Sequence, residues 1–400
     1  MIIELHMLQN FAPSCLNRDD TGAPKECEFG GYRRARISSQ CIKRAIRDYF
    51  RETNLLSPED VGYRTKKIQQ MLVEALVSRD KSEDEAKKVV LKSLIGLGLE
   101  MARKMPEDTE YLMFVCKSEV EALADTMVQY WDKISQLPEQ SLKSEKDDTE
   151  KGDTKKAGKK AFPEEVRKAL LRSFDAGKAV DLALFGRMIA DLPEKNIDAA
   201  CQVSHAISTN KVNVEFDYFT AVDDLQPEEK TGAGMVGTME FNSACYYRYA
   251  NVDVNQLVDN LLGKPRAKAT ADELKEARAL ASTTIEAFIK ASVNAIPTGK
   301  QTSMSAQNPP DFVFAVARDY GAWSLANAFA RPVYPGKDGD VIQQSVVALV
   351  NYWNRLARAY GTDGIKAKPA FSLAEVPLDG LEKVENLDAL IVAVDRAVTD

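Results

Sequence analysis

The residues best suited to chemistry are cations packed into one short stretch near the start of the chain. Between residues 32 and 51, seven arginine or lysine side chains accompany a single carboxylate. The 400-residue chain as a whole is acidic, with a formal net charge of −7 at pH 7. One concentrated cationic surface on an acidic body is typical of a protein that binds a polyanion such as a nucleic acid. The net negative charge argues against indiscriminate coating of DNA.

The spacing of these cations predicts an amphipathic helix over residues 38–51. Lys43 and Arg47 recur at i, i+4 in a polar stripe, opposite the apolar positions. Ser38 or Ser39 can cap the first backbone N–H groups, and such a helix start also suits a phosphate oxygen. Contacts of this kind hold a nucleic-acid backbone without reading its sequence. The alternative from the residues alone is a solvated helix face whose cations pair with acids elsewhere.

Asp19 and Asp20 are the pair that a hydrolytic mechanism would use. Two carboxylates can hold a divalent metal for phosphodiester cleavage, whereas turn formation or ion pairing beside Arg18 is the structural alternative. No histidine lies near them in sequence, and adjacent carboxylates rarely converge on one ion without further ligands. We therefore expect no catalysis at this pair, no metal site and no cofactor.

Other motifs carry little functional signal. Six scattered cysteines without C-x-x-C spacing indicate free thiols in a reducing cytoplasm, and only two histidines are present, which disfavours a zinc cluster. The loop over 299–311 lacks the spacing of a P-loop. His205 is expected to be a core or capping histidine rather than a catalytic base. We also expect no signal peptide and no membrane span.

The hydrophobic periodicity predicts a chain of mixed helices and strands. Residues 2–8 alternate as in a half-buried strand, and 55–136 are mostly helical. Residues 139–160 are charged and almost without large apolar side chains, so they are expected to form a mobile loop. Between 211 and 252 the period becomes two and predicts a hairpin. Further predicted elements are a short strand over 33–37, helices over about 271–291 and 340–358, and a strand over 312–317. This order is compatible with a split βαβ sheet of the ferredoxin or RRM type that carries large insertions.

Several long blocks together resemble one known family. They are PSCLNRDDTGAPKECEFGGYRRARISSQCIKRAIR near the start, DLALFGRM at 181–188, SHAISTNKVNVEFDYFTAVDDL at 204–225, GTMEFNSACYYRYANV at 237–252, KQTSMSAQNPPDFV at 300–313 and WSLANAF at 323–329. These blocks are similar to the CasC family, the repeated backbone subunit of the type I-E CRISPR surveillance complex, Cascade. They lie in family order and cover most of the chain.

The resemblance implies an α+β protein with an RRM/ferredoxin-like palm, a large helical fingers insertion and a β-hairpin thumb. The palm would cover 1–54 and 241–400, the fingers 55–200 with the charged loop 139–160, and the thumb 201–240. Such subunits are non-catalytic and stack head to tail along the CRISPR RNA (crRNA), in an open filament rather than a ring. They present the guide for pairing with target DNA, so base pairing reads the sequence. The implied partners are crRNA, the target DNA strand, neighbouring copies, and subunits of the CasA, CasB, CasD and CasE types.

The same resemblance implies which residues touch RNA. The palm contacts would be Arg18, Lys25, Ser38, Gln40, Lys43 and Arg47, with Arg33, Arg34, Arg36 and Arg44 as supporting charge. Arg187 and Met188 would lie near stacked bases, and Phe219, Thr220 and Val236 would form the thumb tip. Val236 stands where the family can have leucine. Tyr32 stands where the family can have a lysine that contacts a phosphate. The tyrosine ring either stacks in place of that contact, or the contact is lost. Two other functions stay open: a metal-dependent ribonuclease that uses Asp19 or Asp20, and a stand-alone RNA-binding protein.

Overall fold

The computed structural model describes residues 1–138, 162–174, 179–221, 235–337 and 340–399. The charged loop predicted over 139–160 lies outside these described residues. The chain clusters into two compact units, which we name the sheet unit (Met1–Thr53, Cys201–Val254 and Ser282–Asp400) and the helical unit (Asn54–Ala200 and Asn255–Ala281). The predicted boundaries of palm, fingers and thumb stay a prediction.

The described chain contains both strands and helices in each unit. In chain order the strands are β1 (Ile2–Ser14), β2 (Glu26–Phe29), β3 (Tyr32–Ile37), β4 (Tyr63–Thr65), β5 (Met113–Val115), β6 (Cys201–Val203), β7 (Ala206–Ser208), β8 (Glu215–Ala221), β9 (Met235–Asp253), β10 (Phe312–Arg318), β11 (Ile365–Ala367), β12 (Pro369–Ser372) and β13 (Glu382–Lys383). The helices are α1 (Ser39–Glu52), α2 (Ile68–Val77), α3 (Glu83–Leu97), α4 (Lys117–Gln129), α5 (Trp131–Ser135), α6 (Glu164–Ser173), α7 (Val180–Phe185), α8 (Val254–Leu262), α9 (Ala271–Asn294), α10 (Gln301–Met304), α11 (Val341–Tyr360) and α12 (Leu387–Thr399).

A mixed sheet organises the sheet unit. Its strand order is β13-β12-β10-β1-β9-β7-β3-β2, and β8 pairs with β9 as the second arm of a hairpin. β1 is antiparallel to both β9 and β10, whereas β12 and β13 run parallel. The prediction of a mixed α and β fold is confirmed at this level, and the predicted hairpin is present as β8 and β9. The RRM type of the palm stays a prediction.

β1 is buried on both faces, so the expectation of a half-buried strand is wrong. The polar residues between its apolar positions, Glu4 and His6, are as buried as Leu5 and Met7. Glu4 accepts hydrogen bonds from Arg318 Nη1 at 3.0 Å and from the backbone N–H of Trp323 at 2.8 Å. Hydrogen-bond partners inside the protein replace water at the polar positions. The alternation of polar and apolar residues therefore did not mean that the polar face of β1 is solvated.

The helical unit has its own apolar core. It is built from Leu72 of α2, Val90 of α3, Leu123 of α4 and Leu170 of α6, among others. β4 and β5 form a two-stranded antiparallel ladder beside these helices. The mostly helical stretch predicted over 55–136 is therefore confirmed, with two short strands that its periodicity did not predict.

Candidate nucleic-acid interface

The start of α1 gathers polar side chains from three segments of the sheet unit. Ser38 is the N-cap, and its Oγ accepts a hydrogen bond from the backbone N–H of Cys41 at 3.3 Å. The backbone N–H of Ser38 donates to Asn17 Oδ1 at 2.8 Å, and that of Ser39 donates to His205 Nδ1 at 3.2 Å. No acidic residue occupies the first turn. The predicted helix start is confirmed, and it leaves a positive end that no local carboxylate neutralises.

His205 was expected to be a core or capping residue, and it caps. Its Nδ1 must carry a lone pair, because the Ser39 N–H can only donate. Arg36 Nη1 lies 3.3 Å from the same nitrogen and therefore also donates to it. Partial burial, followed by the charges of Arg36 and Lys25, lowers the pKa of His205 below its ordinary value. The two contacts at Nδ1 and the lowered pKa both favour the neutral form of His205 beside these cations.

Several of the predicted palm cations are accessible around this helix start. Arg18 and Arg44 are exposed, and Lys25, Arg36 and Lys43 are partly exposed. The charge of Lys25 acts on both Cys41 and His205, which places it at the first turn of α1. Within the residues that the structure describes, no carboxylate forms an ion pair with Arg18 or Lys25. These two cations therefore keep their charge available to a ligand, beside the exposed amide of Gln40.

Other cations of the basic segment are partly neutralised. Arg33 Nη1 lies 2.9 Å from Glu26 Oε2, and Arg44 and Arg51 each lie 3.4 Å from Asp48. These pairs are exposed or partly exposed, so each contributes on the order of 1 kcal/mol or less and can exchange for a phosphate. The alternative of a solvated, ion-paired helix face thus holds along the later turns of α1. Arg18 and Lys25, for which the described ranges contain no carboxylate partner, lie near the start of α1.

Arg34 does not supply surface charge, contrary to expectation. Its side chain is 0 % exposed. Nη1 donates to the backbone oxygens of Ser208 and Thr209 at 3.0 and 2.7 Å, and Nη2 donates to that of Phe329 at 2.6 Å. Burial lowers the pKa of Arg34. Its role here is to tie β3 to two distant backbone segments, because buried carbonyls need donors.

Arg47 also departs from its predicted place in an exposed polar stripe. It is 7 % exposed, nearly as buried as Ile46 and Phe50 on the apolar face of α1. Truncation of Arg47 would therefore affect packing as well as charge. Lys43, one turn earlier and partly exposed, is the better probe of charge alone.

In the helical unit, the predicted Arg187 and Met188 have opposite environments. Arg187 is 4 % exposed, and its Nη1 lies 2.7 Å from Glu119 Oε1. Its guanidinium also donates to the backbone oxygen of Lys195 at 3.2 Å and lies 4.8 Å from the ring centre of Phe174. Met188 is 82 % exposed. The prediction that Arg187 reaches RNA is not supported, because its side chain is buried and holds the segment that presents Met188.

Met188 shares its surface with two further apolar side chains. It lines a shallow cleft with Tyr111 and Leu112, and all three are exposed. Sequence reasoning missed Tyr111 and Leu112, since their short stretch has no periodicity that separates exposed from buried apolar residues.

The hairpin of β8 and β9 is a two-sided ribbon. The register pairs Phe219 with Gly237 and Thr220 with Val236, so Phe219 and Thr220 lie on opposite faces. A Cβ atom added to Gly237 would lie 2.5 Å from Phe219 Cζ, so the ring covers the glycine. The side chain of Val236 lies outside the described part of the structure. Gly237 was not predicted as a site residue, yet its lack of a side chain fixes where the ring of Phe219 can lie.

Asp19 is engaged in a turn. Its Oδ1 accepts hydrogen bonds from Thr21 Oγ1 at 2.7 Å and from the backbone N–H groups of Thr21 and Ala23, each at 3.0 Å. The bond from the Thr21 hydroxyl, followed by the backbone bonds, lowers the pKa of Asp19. For Asp19, this geometry matches the alternative of turn formation.

A metal site and a membrane-spanning helix each have requirements that can be compared with the described residues. Among the described residues, no three His, Cys, Asp or Glu side chains come together as ligands for a metal ion. In the same ranges, no helix combines the length and the apolarity needed to cross a bilayer.

Comparison with solved structures finds similar chains over the full length. One chain described as "CRISPR RNA-guided surveillance complex, pre-nicking" is 27 % identical, with a TM-score of 0.81 and coverage of 100 % of both chains. A second, described as "CRISPR RNA-guided surveillance complex", is 24 % identical with a TM-score of 0.69, and covers 99 % of this chain and 100 % of its own, which shows the fold alone. No curated protein matches the sequence. The family model for CT1975-like proteins matches residues 3–392, and the chain therefore belongs to the CT1975-like protein family.

Proposed function

We propose that this protein is a non-catalytic backbone subunit that binds crRNA in a CRISPR surveillance complex of the type I-E, CasC kind. The observation that carries the proposal is the 27 % identity and TM-score of 0.81, over the whole of both chains, to a chain of an RNA-guided surveillance complex. The cationic start of α1 gives that likeness a chemical basis in this chain.

The proposed binding mode divides the work between charge and apolar surface. Arg18, Lys25 and Lys43 engage phosphates at the start of α1. The free backbone N–H groups at this N-terminus of the helix add partial positive charge to that of the side chains. Phe219 offers an aromatic ring on which bases stack without regard to sequence, and Met188 offers apolar contact to them. The guide is thereby held by its backbone, and its free bases pair with the target DNA strand.

The proposed assembly is a head-to-tail array of copies along one guide. The β8–β9 hairpin is the thumb that divides the guide into segments, and the array is completed by subunits of the CasA, CasB, CasD and CasE types. We place the complex in the cytoplasm, where crRNA and free thiols are both expected.

The proposal assigns no cleavage to Asp19 or Asp20. One oxygen of Asp19 is committed to three hydrogen bonds within its own turn. A carboxylate used in this way is poorly placed to bridge a metal ion and a scissile phosphate. Incubation of the complex with labelled RNA and Mg²⁺ or Mn²⁺ should give no cutting, and cutting that Asp19→Ala or Asp20→Ala abolishes would contradict the proposal.

The main test is co-expression of the chain with a guide RNA and the partner subunits. We expect a ribonucleoprotein that contains several copies of this chain for each RNA, seen as an elongated particle by electron microscopy. Arg18→Ala combined with Lys25→Ala should reduce RNA recovery, whereas Lys383→Ala, an exposed control in β13 at the far edge of the sheet, should not. A chain recovered only as a monomer, with or without RNA, would overturn the backbone role and favour a stand-alone RNA-binding protein.

A further inference from the structure

The loop over 299–305, which we name the Lys300 loop, lies directly against the segment that leads to Arg18. A Cβ atom added to Gly299 would overlap the backbone oxygen of Leu16 and lie 2.8 Å from that of Cys15. Only glycine permits so close an approach of the two backbones. The loop is therefore a neighbour of the candidate interface, although the two segments lie far apart in sequence.

The loop is fixed in this place by polar contacts. Gln301 Nε2 donates to the backbone oxygens of Pro297 and Ala306 at 3.2 and 3.1 Å, which closes the turn on itself. Further along, the backbone oxygen of Asn308 accepts a hydrogen bond from Gln9 Nε2 at 2.7 Å, which ties the segment to β1. The position of Lys300 is thus set by the sheet.

Lys300 has a backbone conformation that glycine would adopt more easily. Its φ is +53°, in the left-handed region that side chains with a Cβ disfavour. Ser305, at the other end of the loop, has a φ of +48°. Strained residues of this kind persist where the surrounding structure holds them, and they cluster at functional sites. The lysine stands at a position where the backbone alone favours glycine.

The ammonium group of Lys300 adds to the uncompensated charge of the interface. The side chain is exposed, and in the described ranges of the chain no carboxylate forms an ion pair with it. Lys300 and Arg18 both act on the thiol of Cys15 and partly offset the rise in its pKa that burial causes. Two cations from distant segments therefore flank one buried group, with solvent on their outer side.

We propose that Lys300 is a further phosphate-binding residue, and that the Lys300 loop forms a second wall of the RNA site begun by Arg18 and Lys25. This inference rests on the proposed function. The exposed Thr302 and Ser303 add hydroxyl groups that suit phosphate or ribose oxygens. The ligand is a single-stranded RNA backbone, recognised by charge and not by sequence.

The test compares three substitutions at residue 300 with a matched control. Binding of a labelled polyuridine oligonucleotide is titrated at several salt concentrations, and thermal unfolding is followed for each variant. Lys300→Ala should weaken binding several-fold and reduce the slope of log K against log salt by about 0.7, the value for one phosphate contact on a single strand. Lys300→Arg should keep affinity and slope, and Lys383→Ala should change neither.

Lys300→Gly separates the side chain from the backbone. Glycine adopts a left-handed φ without steric strain. The midpoint of thermal unfolding of Lys300→Gly should therefore equal or exceed that of the wild type. Its RNA affinity should nevertheless fall as far as that of Lys300→Ala. A protein that is at least as stable but binds less tightly would show that the ammonium group, and not the loop conformation, makes the contact.

The outcomes distinguish this inference from the proposed function. If the wild type binds RNA and Lys300→Ala binds with unchanged affinity and salt slope, the inference fails and the proposed function stands. If the wild type neither binds RNA nor assembles with it, the proposed function fails and the inference fails with it.

Discussion

The start of α1 and the Arg187–Met188 segment were both predicted to bind RNA, yet they are built in opposite ways. At the start of α1, Arg18 and Lys25 keep their charges at the surface. In the helical unit, Arg187 is buried against Glu119 and the neighbouring Met188 is exposed. The charges of the first region can attract phosphates over several ångströms. The exposed apolar side chain of the second region interacts only with groups in direct contact. The same residue type, arginine, is thus exposed in one region and buried in an ion pair in the other.

The largest effect expected from this difference is on stability. Arg187→Ala removes one partner of a buried ion pair and leaves Glu119 without it, at a cost of about 3–5 kcal/mol in the free energy of unfolding. Urea unfolding of the purified chain measures this cost. The exposed Arg18→Ala should stay within about 0.5 kcal/mol of the wild type. Equal destabilisation of the two variants would erase the distinction between the regions.

The next effect is on RNA affinity at the start of α1. Arg18→Ala combined with Lys25→Ala should reduce the salt slope by roughly 0.7 for each phosphate that is no longer neutralised, because fewer counterions are released on binding. Titration with polyuridine at several salt concentrations gives this slope. A weaker affinity with an unchanged slope would mean that these side chains act through something other than charge.

Met188→Ala should give the complementary result. Since the side chain is exposed, the free energy of unfolding should change by less than about 0.5 kcal/mol. RNA affinity should fall without a change in salt slope, because a thioether releases no counterions. The same titration and unfolding measurements apply, and a change in slope would contradict the apolar role.

The smallest effect concerns pH. The folded chain lowers the pKa of His205, so the neutral ring is the favoured form. The stability that its cap supplies is present above the ordinary histidine pKa of about 6.5 and is lost as the pH falls through the lowered value. His205→Gln should remove this acid-sensitive component, measured as the difference in thermal unfolding midpoint between neutral and mildly acidic buffer. If both proteins lose the same stability on acidification, His205 is not the group responsible.

Local pattern predicted the elements, but it did not predict which cations are exposed. The start of α1 at Ser38 and the hairpin of β8 and β9 follow from capping and period-two signals within a few residues. Arg34, by contrast, is buried, and its guanidinium donates hydrogen bonds to the backbone oxygens of Ser208 and Phe329. These residues lie 174 and 295 positions away in sequence. Arg187 likewise depends on Glu119, 68 residues away. Such partners come together only through tertiary contacts, and no short window of sequence contains them.

The pairing of Phe219 with Gly237 makes spacing as important as composition in the hairpin. Side chains alternate between the two faces, so one residue inserted in β8 before Phe219, with the pairing of Glu215 and Phe241 kept, would bring Thr220 to the face where Phe219 now lies. The ring would then have no glycine opposite it, although every residue type would be retained. Relatives with unchanged strand spacing and varied side chains should therefore keep the geometry better than relatives with identical side chains and an altered spacing.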